Sequence, residues 1–128
     1  MSAARPPVDV VRGWWAALQA RDWDGARALL HEDVVLDWPA SRERLVGAEA
    51  VMTANREYPE GWTIEVLRVV SGGAEVVSEV EVHLDGVQHR AASFWQVRRG
   101  AVVAGVEYWT SLGQDEPSPD RAAYAQRY

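Results

Sequence analysis

Residues 8 to 38, VDVVRGWWAALQARDWDGARALLHEDVVLDW, constrain the fold more than any other stretch. Val11, Trp14, Trp15 and Leu18 recur at helical spacing and predict an amphipathic helix over residues 8 to 20. Pro7 suits its first turn, where a missing backbone N–H costs nothing. Asp22 or Asp24 can cap a second helix by accepting from free backbone amides. Ala26, Leu29 and Leu30 give that helix an apolar face, and it is expected to end near His31 to Asp33. Val34, Leu36 and Trp38 then alternate with Val35 and Asp37, a short strand stopped by Pro39.

Residues 47 to 57 read as a third helix, with Gly47 near its start and Pro59 beyond its end. Tyr58 and Trp62 flank its exit. Four strands are expected at 62 to 70, 75 to 84, 87 to 97 and 101 to 110, punctuated by Gly72-Gly73, Asp85-Gly86 and Arg99-Gly100. Three N-terminal helices followed by a curved, mostly antiparallel sheet make an α+β fold. Asp85-Gly86 is the strongest hairpin signal, because a two-residue primed turn requires positive φ. It pairs Leu84 with Val87, Val82 with His89, Val80 with Ala91, Ser78 with Ser93 and Val76 with Trp95. If Arg99-Gly100 is also a two-residue turn, Val97 meets Val102, Trp95 meets Ala104, Ser93 meets Val106 and Ala91 meets Tyr108. His89, Ser93, Trp95 and Tyr108 then face inward, while Val77, Glu79, Glu81, His83, Arg90, Phe94, Val103, Glu107 and Trp109 face outward. A one-residue slip in either turn would exchange these faces.

The 128 residues are expected to form one domain, with a leader over residues 1–7 and a charged, Pro-containing tail over 111–128. The 13 basic residues are all arginine and the formal net charge is −6, which argues against a nucleic-acid partner. With no cysteine there is no disulfide, thiolate nucleophile or Cys-based zinc site. No apolar run approaches the ~20 residues that span a bilayer, and the N-terminus lacks a signal-peptide core. The expectation is a cytoplasmic protein without membrane or nucleic-acid partners.

The order of helix, Asp-x-Asp-Gly helix, D-x-x-x-x-W-P strand, Gly-led helix and Gly-punctuated hairpins resembles the SnoaL-like group of the nuclear transport factor 2-like superfamily over roughly residues 8 to 110. The resemblance implies a cone with an internal pocket. Ketosteroid isomerases of this fold use a Tyr on the first helix, an Asp base after the first strand and a protonated Asp on an inner strand. Laid onto this chain by motif, those positions fall on Trp14, Trp38 and Ser93. SnoaL-type polyketide cyclases are similar in needing an acid on that inner strand, where this chain again has Ser93. An indole donates one hydrogen bond and accepts no proton, so neither Trp14 nor Trp38 can be a general base.

Among the remaining polar residues, His89 is a candidate acid/base because imidazole titrates near neutrality; a core histidine bonded to backbone or water is the alternative. Tyr108 can offer a phenol to a ligand oxygen or pack at the pocket mouth. Asp37 reaches the cavity only if the Trp38-Pro39 stop twists the strand. Ser93 lies four residues from His89, about 13 Å at strand rise, too far for direct activation; a hydrogen bond to Ser78 or to a ligand is expected instead. His83 and His89 point to opposite faces, and no metal or cofactor is expected.

Trp14, Trp38, Tyr58, Trp62, Ser93 and Trp95 are the expected ligand-binding set, suited to a small hydrophobic, cyclic molecule. Isomerase, cyclase or hydrolase chemistry is compatible with such a pocket. The alternative is a noncatalytic binding or assembly module whose cone is filled by tryptophan. Phe94, Trp109, Arg90 and Val77 on the outer face suggest a homodimer.

Overall fold

A computed structural model describes residues 4–128 of the chain; the first three residues of the leader expected over 1–7 lie outside it. Three helices pack on one face of an open, six-stranded mixed sheet, so the fold is α+β. Helix α1, Pro7–Ala20, buries Val10, Val11, Trp14, Trp15 and Leu18. Their three- and four-residue spacing is what one helical face presents to a sheet. Arg21 ends the helix in the left-handed region at φ 59.

Helix α2, Trp23–Arg27, is one short turn capped by Asp22, whose side chain accepts from the Gly25 amide at 3.0 Å. It stops before the expected His31 to Asp33. Leu30 already belongs to strand β1, Leu30–Trp38, and pairs with Val102. The two leucines that read as a helical face therefore bury at the strand entrance instead. Strand β2, Glu43–Val46, is a short edge strand that its four mostly exposed residues, two charged and two apolar, did not announce. Helix α3, Ala48–Arg56, follows Gly47, whose φ of 91 explains the glycine.

The rest is a meander: β3 Thr63–Gly72, β4 Glu75–Leu84, β5 Val87–Arg98 and β6 Ala101–Ser111. Across the sheet the order is β2-β1-β6-β5-β4-β3, with β1 parallel to β6 and the other neighbours antiparallel. Asp85 and Gly86 both adopt positive φ, and the five β4–β5 pairs expected from that turn are the pairs observed.

The β5–β6 register differs. Val97 meets Val102 as expected, but Gln96 meets Ala104, leaving Val103 as an extra residue on β6. From that bulge onward every pair is displaced by one: Trp95 meets Gly105, Ser93 meets Glu107 and Ala91 meets Trp109. Because side chains alternate with period two, Glu107 and Trp109 turn inward and Tyr108 turns out. Gly105 is the local reason this register packs. A Cβ there would lie 2.7 Å from the Trp95 ring, so the strand approaches that indole only as glycine.

The core centres on Trp14, Trp15 and Trp95. Trp95 meets both helix indoles edge-on, with centroids 6.4 and 6.0 Å away. Burying side chains of this size contributes at least ~1.5–3 kcal/mol each. Their donors are also matched: Ser78 Oγ accepts from Trp15 Nε1 at 3.1 Å and from Trp95 Nε1 at 2.9 Å. Among the described residues, no helix is long and apolar enough to cross a membrane.

Candidate functional site: a carboxyl in an aromatic cavity

Between the helices and the inner sheet face lies a cavity of about 220 Å³. Trp14, Trp15 and Leu18 of α1 form one wall, Trp38 of β1 and Trp109 of β6 another, and Ile64, Val82, Leu84 and His89 floor it from the sheet. Asn55, Tyr58 and Trp62 border it where α3 gives way to β3. The surface is overwhelmingly apolar, and Glu107 contributes a carboxyl to it.

Glu107 is 4% exposed. Its two oxygens are held separately: Trp38 Nε1 donates to Oε1 at 3.0 Å, and the Ser93 hydroxyl donates to Oε2 at 2.8 Å. Burial pushes the carboxyl above its ordinary value, opposed by the Trp38 and Ser93 bonds and by a weaker contact from Trp109 outside strict hydrogen-bond geometry. No arginine is among its hydrogen-bond partners. Ser93 can donate to a carboxylate or accept from a carboxylic acid, so the arrangement is satisfied in both protonation states; Trp38 only donates and stays on the unprotonated oxygen. Such a group is held ready to take up or release a proton.

His89 lies on the same wall, its Nδ1 2.9 Å from Ser111 Oγ, an arrangement that orients the ring and leaves Nε2 as its second polar atom. In the register, the Ser93–Glu107 and His89–Ser111 pairs are four residues apart, about 13 Å along a strand. Glu107 and His89 therefore lie at different ends of the cavity and do not form a relay.

Of the residues singled out from sequence, Trp14, Trp38, Tyr58, Trp62 and His89 line the cavity. Ser93 and Trp95 sit behind it: Ser93 is fully buried on Glu107, and Trp95 is core. Ser93 does not bond to Ser78, whose oxygen is taken by two indoles. Tyr108 is corrected. It lies on the outer face, 51% exposed, edge-on to Phe94 at 6.1 Å, because the bulge turns it outward. Asp37 stays outside too, bound to Arg44 at 2.7 and 3.0 Å. That hydrogen bond holds its carboxyl below the usual range despite partial desolvation.

Trp109 is likewise corrected, from the outer surface to the cavity wall, while Arg90 stays on the outer face, 3.5 Å from Glu81. Glu81, Glu65 and His83 bring possible ligand atoms within 4.8 Å of one another on the outer side, but Glu81 is already engaged by His83, Gln88 and Arg90. Glu107 was the residue sequence reasoning missed. Gly105 within the strand was an available sign of a bulge or close approach, and Trp109 beside the charged Glu79, Glu81 and Glu107 on the face expected to dimerise was another.

The architecture has many relatives of known structure. A candidate ketosteroid isomerase from Kribbella flavida is 28% identical, with a TM-score of 0.88 over 95% of this chain and 89% of its own. An LEH-like epoxide hydrolase from M. tuberculosis is 23% identical, with a TM-score of 0.70 over 81% and 82%. IdmH, a candidate polyketide cyclase from Streptomyces antibioticus, is 17% identical, with a TM-score of 0.68 over 84% and 93%. The last two likenesses establish the fold alone. No curated protein sequence matches significantly. The family model for the SnoaL-like domain matches residues 11–105. With that match spanning most of the chain, and with the nuclear transport factor 2-like fold around it, this protein belongs to the SnoaL-like domain family.

Proposed function

We propose that the protein binds a small hydrophobic, ring-containing molecule in the aromatic cavity and exchanges a proton with it through Glu107. The observation that carries this is a buried carboxyl on an apolar cavity wall, held by Trp38 and Ser93 and biased by burial toward its neutral form. A carboxylate raised in pKa is a stronger base, and its conjugate acid returns the proton to a neighbouring atom of the same ligand. Removal and return of a proton is common to isomerisation and cyclisation, and protonation of a ring oxygen assists hydrolysis. Relatives of this fold are named for all three. His89, with Ser111 behind it, supplies a second polar group at the other end.

The test is hydrogen–deuterium exchange at the carbon next to the carbonyl of 2-tetralone in D2O, followed by proton NMR. Wild type should accelerate exchange and Glu107→Gln should not. Equal rates with both proteins, together with no bound tetralone, would remove the reading.

The outer sheet face supports a second proposal, homodimerisation. Val70, Val77, Phe94 and Val106 form a row across β3, β4, β5 and β6, with Val70 and Phe94 well exposed and Tyr108 beside them. A second copy of the chain would cover this row. Phe94→Asp should shift the mass measured by light scattering from dimer to monomer; a wild-type monomer at high concentration would refute it.

A further inference from the structure

We propose that the cavity takes a two-ring ligand bearing a hydroxyl at the end remote from Glu107, and that His89 Nε2 recognises that hydroxyl. This rests on the cavity being a ligand pocket and adds the class of ligand and its orientation. His89 is half-buried on the inner face of β5 and lines the cavity. Its Nδ1 is 2.9 Å from Ser111 Oγ, while Nε2 has no hydrogen-bond partner among the described residues. Among those residues, the buried side-chain polar atoms that lack a partner are Trp62 Nε1 and Arg90 Nε. His89 Nε2 is not one of them and so has open surface, and on the inner face that opening is the cavity and its mouth.

The surrounding structure holds the ring in place. In the register, His89 lies between Val82 of β4 and Ser111 of β6, with Ile64 of β3 beyond Val82. Val82 and Ile64 are apolar parts of the cavity floor and offer the imidazole no polar partner. Ser111 tethers one nitrogen and leaves the other free, so the ring is oriented before a ligand arrives, which reduces the ordering cost of binding. The Ser111 hydroxyl can accept from Nδ1–H or donate to bare Nδ1. Nε2 is then an acceptor in the first case and a donor in the second. A ligand hydroxyl donates and accepts, so it satisfies Nε2 in either tautomer, whereas a ketone or ether oxygen satisfies only one.

Spacing and volume set the body that carries the hydroxyl. The Ser93–Glu107 and His89–Ser111 pairs are four residues apart, with the Ala91–Trp109 pair between them, which separates the two ends by about 13 Å. The volume, about 220 Å³, is below the ~300–1,000 Å³ of pockets for drug-sized molecules, so one or two rings are expected. Polar groups at opposite ends of two fused rings match the separation better than two groups on one ring. The ligand then lies along β5 and β6, its reacting end at Glu107 and its hydroxyl at His89. A carboxylate in place of the hydroxyl would be desolvated with no arginine among the lining residues to pair it.

The probes are 2-acetonaphthone and 6-hydroxy-2-acetonaphthone, which share a two-ring ketone and differ in the distal hydroxyl. Binding is measured by calorimetry near pH 7, where the naphthol is uncharged. The imidazole nitrogens are followed by nitrogen-15 NMR, with His89 assigned by its loss in His89→Leu or, should that variant not fold, by elimination with His31→Gln and His83→Gln, both at exposed positions. The hydroxy ketone should bind wild type about tenfold tighter than the plain ketone, the worth of one net hydrogen bond, and shift His89 Nε2 further. His89→Leu should bind the two equally. A hydroxy ketone that binds no tighter, a preference that survives His89→Leu, or a His89 Nε2 that responds alike to both ketones overturns the assignment while leaving the pocket intact. Failure of both ketones to bind overturns the pocket reading and this one with it.

Discussion

Replacing Glu107 tests the reasoning through stability, with no substrate required. Glu107→Gln keeps the side-chain length and an amide oxygen that can accept from Trp38, while its NH2 can donate to Ser93, so the net change near the acid end of the pH range should stay within ~1 kcal/mol. Glu107→Ala leaves the Trp38 N–H and the Ser93 hydroxyl without their acceptor. At ~1–3 kcal/mol for each orphaned group, a loss of about 2–6 kcal/mol follows, toward the lower end if water enters from the cavity. The decisive quantity is the pH dependence. Burial raises the folded-state pKa of Glu107 above the ordinary 4.5, so the folded protein holds a proton that the unfolded chain has released. The stabilisation from that proton is complete below the unfolded value and is lost as pH rises through the folded one. Within that window, wild-type stability should fall relative to Glu107→Gln by up to ~1.4 kcal/mol per pH unit. Urea unfolding of both proteins from pH 4 to pH 9 gives the difference curve, in which the contributions of all other groups cancel. Parallel curves, or a wild type that gains stability relative to Glu107→Gln as pH rises, would refute the raised carboxyl.

Two structural predictions follow from the indole network. Ser78→Ala removes the shared acceptor of Trp15 and Trp95 and should cost about 2–6 kcal/mol in urea unfolding; a loss under ~0.5 kcal/mol would show that the two donors find other partners. Gly105→Ala places a methyl against the Trp95 ring, 2.7 Å away, and Leu36, 3.0 Å away. It should destabilise by ~1–3 kcal/mol through overpacking, whereas a neutral result would indicate that β6 does not approach Trp95 this closely.

Much of the fold was legible in the chain because it is written in local chemistry. The 3.6-residue recurrence of Val11, Trp14, Trp15 and Leu18 and the positive φ demanded at Asp85-Gly86 each decide a conformation over a few residues. What local chemistry does not encode is a bulge stabilised from a distance. The extra residue at Val103 depends on Trp95 packing over Gly105, a contact between strands. Missing it exchanged the two faces of β6, which hid Glu107 and put Tyr108 in the cavity. The inner-strand position that falls on Ser93 carries no acid, but its cross-strand neighbour Glu107 does, and Ser93 bonds to it. Similarly, Trp38, which cannot be a base, holds the Glu107 carboxyl.

The most direct test is a titration of the Glu107 side-chain carboxyl by carbon-13 NMR, assigned with Glu107→Gln, in the absence and presence of 2-acetonaphthone. A carboxyl buried in an apolar cavity should titrate clearly above 4.5 and move higher if 2-acetonaphthone enters and excludes further water. A carboxyl that titrates at or below that value, and is indifferent to the ligand, would contradict the account.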